Sequence, residues 1–311
     1  MSNPYLPSAI TGETAFFNAK LAKLLEGTAP PQEMPVELTR QLRAAGQGIF
    51  PLGGPRDSGR WREIPGADGR RARVRVTDPP NGTPRRTYMH LHGGGWTFNA
   101  PEQYDRANAR IATGAATRVV SVEYRLGPEH RWPACGEDAL AAAIWVLDSF
   151  PGPVAIGGES AGAHLALVTL MRLRGHTDFH RIHGATLLYG MYDLRGTPSL
   201  RNWGTRYLVL NTPVVDWFVG NLMGDGDRGD PSASPLLGDL SGLPPVLIIV
   251  GTADPLLDDS LFLEARLRAA GGRADLMVVP GGVHAFDQFD DLPVAQEARA
   301  RQLAFLVEAL R

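Results

Sequence analysis

Ser160 stands at the centre of the segment Gly158-Glu159-Ser160-Ala161-Gly162, between a predicted strand and a predicted helix. A sharp turn from strand to helix strains its corner residue, and the two elements close only if the residues two positions before and after are small. Gly158 and Gly162 meet that requirement. We therefore interpret Ser160 as a nucleophile raised above the sheet, over the unpaired amides of a helix N-terminus. An inert serine in a glycine-rich turn is the alternative.

The segment His92-Gly93-Gly94-Gly95-Trp96 follows the predicted strand TYMHLH. Three consecutive glycines remove every side chain from a loop, which lets backbone N–H groups approach a substrate oxygen closely. Stabilisation of a developing oxyanion requires such access. The pattern therefore favours an oxyanion-binding loop over a plain glycine turn, and we expect His92 to brace that loop rather than to transfer protons.

A serine nucleophile needs a general base, and the chain offers eight histidines for that role. His284 lies in the loop after the last predicted strand, in the segment PGGVHAF. We expect the adjacent Gly281-Gly282 pair to be a flexible lead-in that lets His284 reach Ser160. His284 is therefore the predicted base.

A carboxylate must orient that histidine and stabilise its protonated form. The preceding predicted strand, PVLIIVG, is followed by Thr252-Ala253-Asp254-Pro255, which places Asp254 at the same edge of the sheet. Asp254 can also cap the next helix, with Pro255 at its first position, and the two roles are compatible. The resulting chain order, serine, aspartate, histidine, is that of α/β-hydrolases.

Strand and helix patterns alternate over most of the chain, which predicts an α/β fold with a mainly parallel, eight-stranded sheet and helices on both faces. The first two strands are joined by a Gly-Ala-Asp-Gly turn that is typical of an antiparallel hairpin. The predicted strands are WREIP (61–65), RARVRVT (71–77), TYMHLH (87–92), RVVSVEY (118–124), PVAIGG (153–158), ATLLYG (185–190), PVLIIVG (245–251) and DLMVV (275–279).

Two segments do not fit this alternation, and we expect them to form a helical cap on a single domain spanning residues 1–311. Residues 1 to about 55 hold two predicted helices, and the interval from about 191 to 235 is much longer than a crossover needs. Ligands bind at the carboxyl edge of open α/β sheets, so the cap should cover the site. The expected substrate-binding residues are Trp96, Glu159, Trp203 and Tyr207, with Trp217 and Phe218 as further candidates for the roof.

The composition excludes several other functions. Thirty-one basic and 33 acidic side chains leave a net charge of −2, and no long run of Lys and Arg is present, so nucleic acid is not an expected partner. The apolar runs are too short to span a bilayer. The lone cysteine excludes an intrachain disulfide, and the N-terminal residues lack the apolar segment of an export signal. We therefore expect a cytoplasmic protein.

Two further features suggest sites that we do not expect to function. His176, His180 and His183 have a spacing that suits a metal ion, but they fall at the amino edge of the predicted sheet, opposite the chemistry. Cys135 opens a predicted helix with no base assigned to it, which favours a buried structural thiol. No metal and no cofactor is expected.

The chain resembles the hormone-sensitive lipase family (bacterial family IV) of esterases, from about residue 60 to the end. The resemblance implies that Gly94, Gly95 and Ala161 donate the oxyanion-hole amides, and that Ser160, Asp254 and His284 form a catalytic triad. Two positions depart from the usual pattern: Glu159, where the family often has Asp, and Ala163, where a glycine is frequent. The motifs are HGGGW (92–96), YRLGPEH (124–130), GESAG (158–162), SPLLGDLSGLPPVLIIVGTADPL (234–256) and GGVHAF (281–286).

These residues predict a serine carboxylesterase that cleaves short- to medium-chain acyl esters through an acyl-enzyme on Ser160. The same triad also suits an amidase or arylformamidase and a lipase acting at an oil interface. The same fold also suits a non-catalytic ligand-binding protein. Retention of His284 disfavours the last of these. The expected partner is a small-molecule ester, with neither nucleic acid nor membrane, and the residues leave open whether the chain forms a homodimer.

Overall fold

A computed structural model describes residues 3–50 and 54–311 of the chain. Within these residues, eight strands form one sheet, and this confirms the predicted α/β architecture. The strands are β1 (Gly59–Pro65), β2 (Arg71–Thr77), β3 (Thr87–Leu91), β4 (Arg118–Glu123), β5 (Val154–Glu159), β6 (Ile182–Leu188), β7 (Val246–Ala253) and β8 (Ala274–Val283).

The strand order in the sheet is β1-β2-β4-β3-β5-β6-β7-β8. β1 pairs antiparallel with β2, and β2 pairs antiparallel with β4, whereas all later pairs are parallel. The parallel strands therefore share one carboxyl edge. Ser160, Asp254 and His284 follow β5, β7 and β8 directly, so the sheet brings all three to that edge.

Helices cover both faces of the sheet. α3 and α9 share a buried cluster on one face, which includes Ala112, Val119 and Leu306, while α4, α5 and α8 cover the other. The α-helices of the described residues are α1 (Gly12–Glu26), α2 (Val36–Ala44), α3 (Asp105–Gly114), α4 (Ala134–Ser149), α5 (Ala161–Leu173), α6 (Pro198–Arg201), α7 (Thr212–Met223), α8 (Leu257–Ala269) and α9 (Pro293–Ala309). Among these helices, none is both long and apolar enough to span a membrane.

The expected flexible lead-in before His284 is wrong, because Gly281 and Gly282 lie within β8. The strand continues to Val283 through an irregularity that pairs Val283 with Ala253 of β7. The N–H of Gly281 donates to the Thr252 hydroxyl at 2.8 Å, and its carbonyl accepts from Asn18 of α1 at 2.8 Å. These glycines serve close packing: a Cβ at Gly281 would lie 2.8 Å from the Ile10 side chain.

The two segments outside the alternation pack above the carboxyl edge. Arg40 of α2 donates to the carbonyl oxygens of Thr97 and Gly127, both at 2.9 Å. Phe218 of α7 lies against the glycine loop so closely that a Cβ at Gly95 would clash with its ring. The N-terminal segment, through α2 and the residues beside it, and the insertion therefore both border the space above Ser160.

Candidate active site

Ser160 occupies a strained turn between β5 and α5. Its φ is 55° and its ψ is −122°, a conformation that non-glycine residues rarely adopt. A Cβ at Gly158 or at Gly162 would clash with the carbonyl oxygen of Leu91, the last residue of β3. The two glycines are thus required by the close approach of the turn to β3. The Ser160 N–H donates to the Leu188 carbonyl at 2.8 Å, which fixes the turn to β6 as well.

Ser160, His284 and Asp254 form one chain of hydrogen bonds. Nε2 of His284 lies 2.8 Å from Oγ of Ser160, and Nδ1 of His284 lies 2.9 Å from Oδ2 of Asp254. Both the imidazole and the carboxylate are buried. With the imidazole proton on Nδ1, that nitrogen donates to Asp254 and Nε2 accepts from the serine hydroxyl, which is the arrangement that general-base catalysis needs.

Asp254 also holds the backbone that follows it. Its Oδ1 accepts the N–H of Leu256 at 2.9 Å, just before α8 begins at Leu257. One carboxylate oxygen therefore contacts His284 while the other fixes the turn that precedes α8. The expected helix cap with Pro255 at the first helical position is wrong, because α8 begins two residues later and Leu256 is its N-cap residue. Asp258 and Asp259 lie in the first turn of α8, whereas Asp254 is the carboxylate that contacts His284.

The glycine loop presents free backbone amides beside Ser160. Gly94 and Gly95 have φ values of 126° and 61° and border the cavity that contains Ser160 and His284. Neither N–H donates a hydrogen bond to any residue of the described ranges. The N–H of Ala161, the first residue of α5, has no intrahelical partner either. Three amides are thus available where an oxyanion would form.

Glu159 braces that loop from below. Its Oε1 accepts the Gly93 N–H at 2.7 Å, and its Oε2 lies 3.0 Å from Nε2 of His90. Nδ1 of His90 in turn lies 2.8 Å from the Ser121 hydroxyl. Because the register of β3 and β5 sets His90 opposite Gly157, this network ties the loop to the sheet. Glu159 also borders the cavity that contains Ser160, so its expected contact with substrate stays a prediction beside this contact with the loop.

Two other buried histidines are unsuited to be the base. Burial lowers the pKa of His92 to about 3 and that of His164 to about 4. His92 Nδ1 lies 2.9 Å from the Gly93 carbonyl and its ring stacks on Tyr124, consistent with a bracing role. His164 accepts from the Trp96 indole and lies 2.7 Å from the Ala233 carbonyl through its other nitrogen.

Tyr189 supports His284 from the side and was not foreseen in the sequence. Its ring meets the imidazole edge-on, with ring centroids 4.9 Å apart. Its hydroxyl donates to the carboxyl group of Asp287, which is buried. Burial raises the pKa of Asp287 to about 6. No sequence signal marks Tyr189 except its position directly after β6.

The cavity above Ser160 has a volume of about 70 Å³, and a second cavity of about 230 Å³ adjoins it under α2. Tyr207 borders both cavities, whereas Trp96 and Trp203 border neither, so those two expectations are wrong. The Trp96 indole is buried against His164. The Trp203 indole turns away to donate to the Arg206 carbonyl at 2.8 Å. The residues shared by both cavities are Pro31, Arg43, Ile49, Phe50 and Tyr207.

The structure also shows the surroundings of Cys135 and of the histidine cluster. Cys135 is fully buried, and burial raises the pKa of its thiol to about 12, which suppresses thiolate chemistry. His176 and His180 bond to nearby backbone of their own loop. Within residues 3–50 and 54–311, no group of three His, Cys, Asp or Glu side chains is placed to hold a metal ion.

Comparison with known proteins decides the family. The family model described as alpha/beta hydrolase fold matches residues 88–288, well over half of the chain. The chain belongs to the α/β-hydrolase family. Its relatives confirm the resemblance to the hormone-sensitive lipase type.

A carboxylic ester hydrolase, LipN, of Mycobacterium tuberculosis is 35% identical over 250 residues, which cover 75% of this chain and 65% of that longer protein. An ethyl acetate hydrolase of Pseudomonas putida is 30% identical over 256 residues, 78% of this chain and 79% of the relative. Among solved structures, a hyperthermophilic esterase from Pyrobaculum calidifontis superposes with a TM-score of 0.86 at 30% identity, covering 94% of this chain and 97% of the other.

Proposed function

We propose that this protein hydrolyses carboxylic esters through an acyl-enzyme formed on Ser160. The observation that carries the proposal is the unbroken chain of hydrogen bonds from Asp254 through His284 to Ser160, beside backbone amides that have no partner among the described residues. The names of the relatives, carboxylic ester hydrolase and ethyl acetate hydrolase, agree with this reaction.

The geometry supports a two-step mechanism. Nε2 of His284 removes the hydroxyl proton as Oγ of Ser160 attacks the acyl carbon, and the resulting imidazolium protonates the leaving alcohol. Asp254 stabilises the imidazolium through the bond to Nδ1. Water then attacks the acyl-enzyme with the same histidine as base, which releases the acid and restores Ser160.

We assign the oxyanion hole to the N–H groups of Gly94, Gly95 and Ala161. The tetrahedral intermediate carries its negative charge on the former carbonyl oxygen, and preorganised donors there stabilise it without reorganisation. Loss of one such donor typically costs about 3 to 4 kcal/mol of transition-state stabilisation. The network of Glu159 and His90 keeps the loop that bears two of them in place.

The cap sets the size of substrate that we propose, short- to medium-chain acyl esters. The N-terminal segment and the insertion border the cavity with Ile49, Tyr207, Val214 and Phe218. Each additional buried methylene contributes about 0.8 kcal/mol until the chain meets this wall. The expected optimum is an acyl group of roughly two to eight carbons, because a narrow cavity rejects longer chains.

A matched pair of ester and anilide substrates tests the reaction class. We expect the purified protein to hydrolyse p-nitrophenyl butyrate at least about 100-fold faster than butyryl p-nitroanilide, since p-nitrophenolate leaves without protonation whereas the anilide nitrogen must be protonated to leave. Equal rates on both substrates would favour the amidase alternative. Absence of turnover on both, with a folded protein, would contradict enzymatic acyl transfer on Ser160.

A further inference from the structure

Arg43, on the last turn of α2, lines the cavity that contains Ser160 and His284. It also lines the adjoining cavity under the N-terminal segment, so its guanidinium lies where the two spaces meet. Among the described residues that border either cavity, Arg43 carries the single cationic Lys or Arg side chain. The substrate-binding space therefore contains this guanidinium and the Glu159 carboxylate, whose two oxygens already face Gly93 and His90.

This guanidinium has no carboxylate partner. No Asp or Glu oxygen of the described chain lies within 4.0 Å of it, and residues 1–2 and 51–53 include no acidic side chain. Arg40, one turn earlier on the same helix, is by contrast paired with Glu129 at 2.9 Å. Arg43 is half-buried, so its charge is partly removed from water, and pairing with an anion offsets that cost. The missing partner of Arg43 therefore points to a ligand that supplies the anion.

The side chain is already held in place. Nη1 donates to Oδ1 of Asn99 at 3.2 Å, and the guanidinium carbon lies 4.6 Å from the centroid of the buried Phe98 ring. Burial lowers the pKa of Arg43, yet a guanidinium remains charged at neutral pH. Of its five N–H donors, the other four have no acceptor among the described residues. Two parallel N–H groups are thus free to face a carboxylate.

We propose that Arg43 recognises a carboxylate on the substrate, so that the preferred substrates are esters bearing a carboxylate in their acyl or alcohol half. A planar guanidinium fork matches the two oxygens of a carboxylate. A single positive charge also suits a monoanion better than a phosphate dianion. The inference rests on the proposed esterase function, because it specifies the class of ester that reaches Ser160.

Charge-matched substrate pairs test this inference. On the acyl side, we would compare mono-p-nitrophenyl glutarate with p-nitrophenyl pentanoate, which have acyl chains of equal length. On the alcohol side, we would compare carboxymethyl butyrate with ethyl butyrate by titration of released acid. The measured quantity is the ratio of kcat/KM for the charged ester to that for the neutral ester, after subtraction of uncatalysed hydrolysis.

We expect this ratio to exceed one in one of the two pairs and to fall about 10- to 100-fold in Arg43→Met, the usual range for loss of a charged hydrogen-bond partner. Arg43→Lys should keep part of the preference, and high salt should reduce it in the unmodified protein. Arg40→Met, the control from the same helix, should leave the ratio within about threefold of its original value.

Ratios below one in both pairs, unaffected by Arg43→Met, would overturn the inference and leave Arg43 as a brace for Asn99. If Arg43→Met does not fold, the ratio of the unmodified protein, its salt dependence and Arg43→Lys decide the question. Hydrolysis of the neutral esters without a carboxylate preference contradicts only this inference, whereas failure to hydrolyse any of the four esters contradicts the proposed function.

Discussion

Replacement of Glu159 separates a loop-bracing role from a direct contact with substrate. In Glu159→Ala, the Gly93 N–H loses its acceptor, which is Oε1 of Glu159 at 2.7 Å. Nε2 of His90 loses its partner, which is Oε2 of Glu159 at 3.0 Å. In Glu159→Gln, the amide oxygen still accepts from Gly93. Its amide N–H donates to Nε2 of His90, which reverses the direction of the original bond and requires the imidazole proton to move to Nδ1, where it faces the Ser121 hydroxyl.

The magnitudes follow from these contacts. Loss of two hydrogen bonds to a charged group, with one buried N–H left unpaired, should lower the free energy of unfolding by about 3 kcal/mol in Glu159→Ala. Because the loop then no longer holds the amides of Gly94 and Gly95 in place, kcat should fall about 100- to 1,000-fold, the cost of one displaced oxyanion donor. Glu159→Gln should remain within about tenfold of the original kcat.

Steady-state kinetics on p-nitrophenyl butyrate and urea unfolding of the same samples check this prediction. The loss in Glu159→Ala should appear in kcat rather than in KM, since oxyanion stabilisation acts in the transition state. Equal damage in Glu159→Gln and Glu159→Ala would refute the hydrogen-bond reasoning and indicate that the charge itself matters. An unchanged kcat in Glu159→Ala would show that the loop needs no brace.

Three further predictions concern the triad, the pH dependence and the cavity. Asp254→Asn should lower kcat by roughly 10⁴, because the amide favours the wrong tautomer of His284. A loss of only about 1 kcal/mol in unfolding free energy, with kcat unchanged, would mean that Asp254 merely holds the turn before α8. The buried Asp287 has a pKa of about 6, above the ordinary 3.8, so the folded state holds its proton more tightly. This contribution to stability should decline by up to about 3 kcal/mol as pH rises from 4 to 6; Asp287→Asn should abolish that decline in urea titrations, and an unaltered pH slope would contradict it. Over an acyl series, kcat/KM should peak between two and eight carbons without a rise at the solubility limit, and a steady increase to long-chain triglycerides would favour a lipase.

The triad was readable from the sequence because it depends on local rules. Ser160, Asp254 and His284 each follow a predicted strand, and parallel strands end at one edge, so their meeting needs no knowledge of side-chain packing. The predicted helix cap at Asp254 fails because α8 begins two residues later than the Asp254-Pro255 pair suggests. The mistaken lead-in at Gly281 and Gly282 arose because the extension of β8 depends on pairing with β7, and that pairing is not visible within the segment itself.

Roles that depend on distant partners could not be predicted. Trp96 and Trp203 were expected in the pocket as large aromatics, but each indole N–H is satisfied elsewhere, by His164 and by the Arg206 carbonyl. Buried indoles commonly find such partners, and the sequence does not indicate which. The position of Arg43 in the cavity could not be predicted either. Only the folded structure shows that no carboxylate of the described residues lies beside its guanidinium.

Covalent labelling of the nucleophile tests the central claim most directly. A p-nitrophenyl alkylphosphonate should modify the folded protein once per chain, abolish esterase turnover in proportion, and leave its mass on the peptide containing Ser160. Ser160→Ala should take up no label and lose turnover by several orders of magnitude while keeping the unfolding profile of the parent, since triad members act as a unit. Label on another residue, or turnover that persists in Ser160→Ala, would contradict the acyl-enzyme on Ser160.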